Sequence, residues 1–482
     1  MSFHKNIFSK PKAEDYLNEA IAAANFINTR RVETPEGLYW SVADGKADDS
    51  VYYDEICMYA GSAGIAHYFL QLWRVLNEEK YLDDAKEAAG YIIYRWREKR
   101  ELARNFNIWA YSSGYSGIAS FLLELYEITG DEKYSQIVEE INEAIVADAK
   151  PSEDGVGYYW STYPGIVGDA GIILYLLESA KKLNQKKWAD FAIDAGRIYL
   201  NKARDYEEGG RYYLGVNPEY FNSDDSYIDP NFPMGAAGIG FTLLRLYEES
   251  GDKAFLDAVE GIPEFHEAVA LKDGDAALLP HGLPTRPDTY YLGYCHGPAG
   301  TARFYHKYYE ITKKEEYFDW QIRLANGIIR AGAPEVHSPG YWNTHCYCCG
   351  TAGMTNLFVG IWAATGDKKY LEYAERTGEQ MLGWSTHVKG DTGQQAMWYQ
   401  AFVGAKPTRI TTNIGMYDGA AGIGWALVQL YMAKNGEFII ERVVDDPYPT
   451  RVQKYNYARG CRSNLVRQPL KIIYNPVCIL QV

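Results

Sequence analysis

The chain has 482 residues, of which 47% are hydrophobic and 15% aromatic, and its formal net charge is −15 at pH 7. This apolar fraction is enough for a large core, but no uninterrupted apolar run reaches the roughly 18 residues of a membrane-spanning helix, so we expect no membrane span. An acidic chain also lacks the basic stripe that nucleic-acid binding requires, so we expect no nucleic-acid partner.

The N-terminal stretch MSFHKNIFSKPKAEDYL lacks the apolar segment of a secretory signal. The seven cysteines are few, odd in number and unevenly placed, which is not typical of a disulfide framework. Both features favour a protein of the reducing cytoplasm. The first periodic element, AEDYLNEAIAAANFINTRR, predicts a helix that begins at Ala13.

Seven copies of a Gly-x-x-Gly unit, each followed by an apolar run, recur along the rest of the chain. Copy two reads GYSGIASFLLELY, and copy six reads GTAGMTNLFVGIW. Successive copies begin 53, 54, 67, 62, 53 and 69 residues apart, which is the length of a helical hairpin plus a loop. The first glycines of the seven copies are Gly61, Gly114, Gly168, Gly235, Gly297, Gly350 and Gly419.

Each copy predicts a pair of helices. The apolar residues of copy two have helical spacing, at Ile118, Phe121, Leu122 and Leu125. In most copies a turn such as TGDEKY then leads to a second helix with charged residues on one face. We expect the nearly uncharged first helix to lie inside and the second outside. The opening helix would supply the outer partner that copy one lacks, which predicts an all-α (α/α) toroid of seven inner and seven outer helices.

We expect this toroid to span residues 12–450 as one domain. Residues 451–482 contain six basic residues and no acidic one, and they show no helical periodicity. They are interpreted as a basic C-terminal tail, for which the sequence predicts no structure.

The glycine turns should all lie at one end of the toroid, where helix N-termini create a potential that suits anions. The residues before each first glycine would then face this mouth. Copy five, GYCHGPAG, places Cys295 and His296 there, and copy six, CYCCGTAG, places Cys348 and Cys349 there. Because the two copies are neighbours, we expect these side chains to lie close together.

Three thiolates with an open fourth position are typical of a catalytic zinc site, which we expect at the centre of the toroid. Three other interpretations stay open: inert core cysteines, a disulfide, or a metal-free nucleophile at a helix N-terminus. Cys346 is either a fourth ligand or a wall residue, and an open site favours the wall residue.

The repeats and the cysteine motifs of copies five and six resemble those of the LanC-type lanthionine synthetases and their LanC-like relatives, over about residues 12–450. In this resemblance the family's two cysteines fall on Cys295 and Cys348, and its histidine ligand falls on Cys349. The resemblance therefore implies Zn²⁺ as the cofactor, in an all-cysteine variant of the site.

The resemblance also implies a reaction. These cyclases hold a peptide cysteine as a thiolate, which adds to a dehydroalanine or dehydrobutyrine of the same peptide and forms a thioether ring. Animal relatives add the thiol of glutathione to similar residues. The expected partner is a peptide or a small thiol, with a dehydrated precursor peptide of lantibiotic biosynthesis as one candidate.

The sequence departs from the family at three positions, where Met234, Pro164 and Tyr291 replace a histidine, an aspartate and an arginine. The groups that move protons must then come from elsewhere at the mouth. The candidates for this catalytic role are His296, His345 and Asp418.

Two other functions fit the same features. Helical toroids also house glycoside hydrolases and epimerases, and clefts rich in tyrosine and tryptophan suit sugars. One glycosidase type even combines zinc with a Cys-Cys pair, although the seven glycine repeats argue against it. The other alternative is a non-catalytic zinc-bound scaffold that binds peptides in its mouth.

Overall fold

The structure is a computed structural model that describes residues 10–42, 54–102, 107–215, 227–336, 341–342, 344–402, 408–436 and 440–450. The predicted tail, residues 451–482, lies outside the described residues. In the described part of the chain, no helix is both long and apolar enough to span a bilayer.

Fifteen α-helices form the body of the described chain. In chain order they are α1 (Ala13–Ile27), α2 (Ser62–Leu76), α3 (Glu79–Glu98), α4 (Tyr115–Thr129), α5 (Glu132–Ala147), α6 (Asp169–Leu183), α7 (Lys186–Gly196), α8 (Ala236–Ser250), α9 (Lys253–Asp257), α10 (Ile262–Val269), α11 (Pro298–Thr312), α12 (Glu315–Arg330), α13 (Thr351–Thr365), α14 (Lys368–Trp384) and α15 (Ala420–Asn435).

The helices that follow the seven glycine units form a closed inner ring: α2, α4, α6, α8, α11, α13 and α15. Each packs against the next, and α15 packs back on α2. Each of the first six also packs against the outer helix that follows it, so α3 is the outer partner of copy one. The prediction that the opening helix takes that place is wrong: α1 packs on α15 of copy seven, which no outer helix follows within the described residues. The predicted (α/α) toroid is therefore confirmed. Its fourth outer element is divided into α9 and α10, because Gly261 between them takes a φ of +92° and a proline follows in the first turn of α10.

Inner and outer helices differ in burial as the sequence predicts. Every residue of α13 from Thr351 to Ala363 is buried, as expected for a helix surrounded by protein on all sides. In the outer helix α14, the buried residues Tyr370, Ala374, Thr377, Gly378 and Met381 form one stripe. The core therefore lies between the two rings and within the inner ring.

The turns between paired helices follow common capping rules. All seven inner helices end at a residue in the left-handed conformation, and these residues are Asn77, Gly130, Asn184, Gly251, Lys313, Gly366 and Gly436. In the TGD turn of copy two, the carboxylate of Asp131 accepts a hydrogen bond from the backbone N–H of Lys133 at 3.1 Å and caps α5.

The paired glycines are needed because two backbones come very close. Gly350 has φ −154°, which any residue can adopt, but a Cβ there would lie 2.0 Å from the carbonyl oxygen of Thr344. A Cβ on Gly117 would lie 1.9 Å from the carbonyl oxygen of Tyr111 and 2.8 Å from the Cβ of Met58 in copy one. The second glycine thus lets neighbouring copies pack together. The first glycines of the copies do not need an unusual φ, because none of the seven has a positive φ.

Short strands in the connections form six two-stranded sheets within the described residues. They are β1 (Arg31–Thr34), β2 (Gly37–Trp40), β3 (Lys150–Pro151), β4 (Tyr158–Tyr159), β5 (Arg204–Asp205), β6 (Arg211–Tyr212), β7 (Leu271–Asp273), β8 (Ala276–Leu278), β9 (Tyr290–Tyr291), β10 (Tyr341–Trp342), β11 (Thr386–Gly390) and β12 (Gly393–Met397). The parallel pair of β9 and β10 joins the segments that lead into copies five and six. It thereby aligns the two turns that carry the clustered cysteines.

Candidate metal centre

Backbone hydrogen bonds join the turns of neighbouring copies at the mouth. The N–H of Cys295 donates to the carbonyl of Cys348 at 2.7 Å, and the N–H of Cys348 donates to the carbonyl of Tyr417 at 2.8 Å. The series continues from Tyr417 to Tyr59 at 2.8 Å and from Tyr59 to Ser112 at 2.7 Å. Each of these residues lies two positions before its first glycine. The repeat therefore places equivalent residues of successive copies side by side.

Three thiols converge where copies five and six meet. The Sγ atoms of Cys295, Cys348 and Cys349 all lie within 4.8 Å of one another, and those of Cys348 and Cys349 are 3.5 Å apart. Cys348 and Cys349 are buried, and Cys295 is half-buried. Tetrahedral zinc with Zn–S bonds of about 2.3 Å would hold its sulfurs about 3.8 Å apart. The donor set and its spacing thus fit a zinc ion.

The thiols also favour one negative charge within the cluster. Hydrogen bonds from Cys295 and from Cys349 hold the pKa of Cys348 well below its usual value. The same hydrogen bond to Cys348 raises the pKa of Cys295, and hydrogen bonds to the other thiols raise that of Cys349. Three thiols that share one negative charge are suited to binding a soft metal cation.

The neighbouring Cys346 is not one of the three thiols that converge, although a hydrogen bond with it helps to raise the pKa of Cys349. Cys346 is fully buried, and its Sγ lies in a hydrogen bond of 3.1 Å with the hydroxyl of Thr344. Cys57, near the mouth in copy one, is also fully buried, and burial raises its pKa to about 12. Both cysteines have the surroundings of inert core thiols.

His296 lies at the mouth directly after Cys295. It has a φ of +53°, a strained backbone conformation for a non-glycine residue. Its Nδ1 lies 2.8 Å from Oδ2 of Asp229, an ion-pair distance without the angles of a good hydrogen bond. Burial alone would lower the pKa of His296, but the carboxylate of Asp229 outweighs it and raises the pKa above its usual value.

Two neighbours of His296 were not identified from the sequence. Asp229 is fully buried and lies six residues before the first glycine of copy four, which is the one signal that could have pointed to it. His281, in the loop before β9, stacks on His296 with ring centroids 4.2 Å apart. Its Nδ1 lies 3.0 Å from the hydroxyl of Tyr227, and burial lowers the pKa of His281 to about 3. His281 is therefore a neutral ring against which His296 is held.

Tyr291 also borders the cluster. Its ring packs edge-on against His281, with centroids 4.5 Å apart. Burial raises the pKa of Tyr291, and the nearby thiols of Cys349 and Cys295 raise it further. The phenol therefore stays neutral beside the thiols and can donate a hydrogen bond.

Asp418 lies at the mouth in copy seven and is buried. Its Oδ2 accepts a hydrogen bond from Nδ2 of Asn413 at 2.9 Å, and its backbone carbonyl accepts one from Gln400 at 2.6 Å. Burial raises the pKa of Asp418 to about 7, and the Cys348 thiolate adds to the effect. Its carboxyl group can therefore carry a proton near neutral pH.

The third candidate, His345, faces a different part of the molecule. Its ring packs against Trp384 at the end of the outer helix α14, with centroids 5.5 Å apart. Its ring nitrogens are not among the ligand atoms that converge with the three thiols. The structure thus brings His296 beside the cluster and places the His345 ring against the outer layer.

A separate cavity of about 340 Å³ lies between copies three and four. Its lining includes Asp169, Tyr159, Tyr199 and Tyr213, but none of the three converging cysteines. We therefore base the candidate site on the geometry of the thiols and not on cavity size.

Comparisons with known proteins agree with this fold. The family described as lanthionine synthetase C-like protein matches residues 53–439. Among solved structures, nisin cyclase is similar with a TM-score of 0.57 and 17% identity, over 79% of this chain and 90% of that chain. At this identity the likeness shows the shared fold. No curated protein sequence matches the chain.

Two further solved structures are less similar. The Lin0763 protein from Listeria innocua has a TM-score of 0.45 and 12% identity, over 87% of this chain and 98% of that one. A GH76 α-mannanase from Bacteroides thetaiotaomicron has a TM-score of 0.42 and 10% identity, over 88% of this chain and 97% of that one. We base no argument on either.

Proposed function

This chain belongs to the lanthionine synthetase C-like family, and from that premise we propose that it is a zinc-dependent enzyme that forms thioethers. In this reaction a thiol adds to a dehydroamino acid of a peptide. The observation that carries the proposal is the convergence of three cysteine Sγ atoms within 4.8 Å, beside a buried His–Asp pair.

Cys295, Cys348 and Cys349 would hold the zinc ion. When bound, zinc would supply a Lewis acid that keeps a substrate thiol in its thiolate form near neutral pH. The protein's own part is to exclude water, because Cys348 and Cys349 are 5% and 8% exposed. The N-terminus of α13, which begins directly after this turn, adds a favourable potential for anionic sulfur.

The proposed addition forms a C–S bond between the thiolate and the β-carbon, and it breaks the carbon–carbon π bond. The electron pair moves onto the carbonyl as an enolate, and a proton must then reach the α-carbon. The thiol proton lost at the start is balanced by this proton, so the sum is one new C–S and one new C–H bond.

We assign the proton delivery to His296. Asp229 lies 2.8 Å from its Nδ1 and can hold the ring and stabilise its protonated form, which leaves Nε2 for the substrate. Stacking on His281 restricts the ring further. Asp418 is the second candidate, since its carboxyl keeps a proton up to a pH of about 7.

The proposed substrates are a dehydrated peptide that supplies both groups, or a dehydrated peptide with a separate small thiol. The similarity to a protein named nisin cyclase supports the peptide. We also propose the cytoplasm as the location, because the five described cysteines are all free thiols and a reducing compartment would keep them so.

The metal part of the proposal has a direct test. We expect about one zinc per chain in the purified protein by elemental analysis, and loss of that zinc in a Cys348→Ala, Cys349→Ala variant. Cys346→Ser is the matched control, because this thiol is not one of the three that converge. Full zinc retention by the double variant would exclude these ligands.

The catalytic part is tested by incubating the zinc-loaded protein with a dehydroalanine peptide that contains a cysteine, and separately with an added thiol. A cyclised peptide has the mass of its linear isomer, so the ring is detected by mass spectrometry as protection from alkylation. Ring or adduct formation above the uncatalysed rate supports the enzyme.

The absence of the family's histidine, aspartate and arginine at Met234, Pro164 and Tyr291 favours the alternative of a non-catalytic scaffold. In that case a labelled peptide would bind to the zinc-loaded protein, while neither ring nor adduct would exceed the uncatalysed background.

A further inference from the structure

The segment after the last inner helix, residues 440–450, crosses the inside of the toroid, and we call it the crosspiece. At its start, the carboxylate of Glu441 lies 3.0 Å from the ammonium of Lys182 on α6. Near its end, the hydroxyl of Tyr448 donates to Gln321 of α12 at 3.3 Å. Between these contacts residues 442–446 are buried, with Asp445 fully shielded from solvent.

Two acidic residues of the crosspiece form a buried cluster with two arginines. Oδ1 of Asp445 accepts a hydrogen bond from Arg303 of α11 at 2.7 Å, and Oδ2 of Asp446 accepts one from Arg442 at 3.0 Å. The four charges sum to zero. Removing these charges from water is costly, so stability alone is a weak reason for such a cluster. A requirement for fixed geometry is a better one.

The cluster reaches one metal-ligand cysteine through a tyrosine. The hydroxyl of Tyr294 donates a hydrogen bond to Oδ2 of Asp445, and Tyr294 is 6% exposed. Cys295 follows Tyr294 directly in the chain. The position of the Tyr294 ring therefore constrains the turn that presents the first thiol.

A second tyrosine links the same cluster to copy six. Arg303 donates a hydrogen bond to the hydroxyl of Tyr347, and Cys348 follows Tyr347 directly in the chain. The rings of Tyr294 and Tyr347 stack with centroids 5.7 Å apart and an interplanar angle of 27°. One buried cluster thus forms hydrogen bonds with the hydroxyl groups of both tyrosines. Because each tyrosine directly precedes a cysteine, the distance between the two rings is linked to the distance between the thiols.

We propose that the crosspiece sets the spacing of the metal-binding thiols, with Asp445 and Arg303 as positioning residues. The inference rests on the proposed metal centre. Outer partners that orient metal ligands typically contribute 10- to 100-fold in metal affinity. We expect an effect of about this size when a tyrosine link is removed.

The test compares Tyr294→Phe with Tyr175→Phe, each of which removes one buried hydroxyl. The hydroxyl of Tyr175 donates to Asn142 at 2.7 Å and has no link to the cysteines, so this variant controls for lost stability. Cobalt(II) is the probe, because its thiolate complexes absorb visible light and report coordination geometry. Affinity is measured by competition with a chelator, and thermal midpoints of both variants are measured alongside.

We expect Tyr294→Phe to weaken cobalt binding by about 10- to 100-fold and to change the thiolate-to-cobalt absorption, with Tyr175→Phe like wild type. Equal affinity and spectra in both variants would overturn the inference.

If wild type binds no cobalt, the metal centre of the proposed function fails. In that case the positioning role is tested by the alkylation rates of Cys295 and Cys348 in the native protein. A faster rate in Tyr294→Phe than in Tyr175→Phe would support the positioning role, and equal rates would refute it.

Discussion

At the scale of single residues, the pairing of His296 with Asp229 is the feature with the clearest consequence for activity. His296→Ala removes the proposed proton donor, so thioether formation should slow by roughly 10²- to 10⁴-fold, the range for a lost general acid. Zinc content should not change, because the three thiols remain.

His345→Ala provides the comparison for this prediction, since the His345 ring packs against Trp384 in the outer layer. Rates and zinc content are measured on both variants with the same dehydroalanine peptide. If His345→Ala slows thioether formation as much as His296→Ala does, the proton donor is His345. If neither substitution slows the reaction, Asp418 is favoured as the proton donor.

A second residue, Asp169, should make stability depend on pH. Burial at the start of α6 raises its pKa to about 7, although Ser161 and the backbone N–H of Trp160 donate hydrogen bonds to it. In the unfolded chain the pKa of Asp is about 3.9, so between these pH values the folded protein binds more protons. The free energy of unfolding therefore falls as pH rises, by on the order of 4 kcal/mol in all.

Chemical denaturation of wild type and Asp169→Asn between pH 4 and pH 8 measures this effect. The wild type should lose stability relative to the variant as pH rises toward about 7, because the amide that replaces the carboxyl group does not titrate in this range. Asp131→Asn is the control, since hydrogen bonds with Lys133 lower the pKa of that exposed carboxylate. A constant difference between wild type and Asp169→Asn across this range would contradict the prediction.

At the scale of the elements, the glycine units allow each inner helix to begin against its neighbour. Gly117→Ala would put a Cβ 1.9 Å from the carbonyl oxygen of Tyr111, a contact that only a backbone shift can relieve. We expect this substitution to destabilise the fold by about 3 kcal/mol, the upper part of the usual range for overpacking.

The matched control is Gly383→Ala in the outer helix α14. A Cβ there meets nothing within 4 Å, so the change should be neutral or should stabilise by up to about 1 kcal/mol through helix propensity. Thermal or denaturant unfolding distinguishes the two variants. If both variants were equally stable, the close approach of two backbones would not be the reason for glycine at position 117.

At the scale of the whole molecule, the closed ring predicts one cooperative unit. Helix α1 packs on α15, so the two ends of the toroid support each other although they are far apart in sequence. We expect limited proteolysis of the native protein to cut from residue 451 onward before it cuts within residues 12–450. A robust early cut near the middle of the chain that leaves two folded halves would contradict a single domain.

The sequence alone determined the repeating architecture and predicted which three cysteines converge. Helical periodicity and glycine spacing are local properties, so seven copies along the chain predicted seven inner helices and their outer partners. The same register placed Cys295 and Cys348 at equivalent positions of neighbouring copies. Their convergence follows from the repeat itself.

Only the tertiary structure decided what surrounds those cysteines. Asp229 meets His296, and Asp445 meets Tyr294, 151 residues away along the chain. The position of Asp229 before its glycine does not indicate its contact with His296, and Asp445 has no local signal, because loops and the crosspiece follow the packing of the ring and not a repeating pattern. His345 illustrates the same limit: it precedes Cys346 in sequence, but its ring packs outward on Trp384. Spacing predicts which residues share a turn, whereas side-chain direction depends on contacts between distant segments.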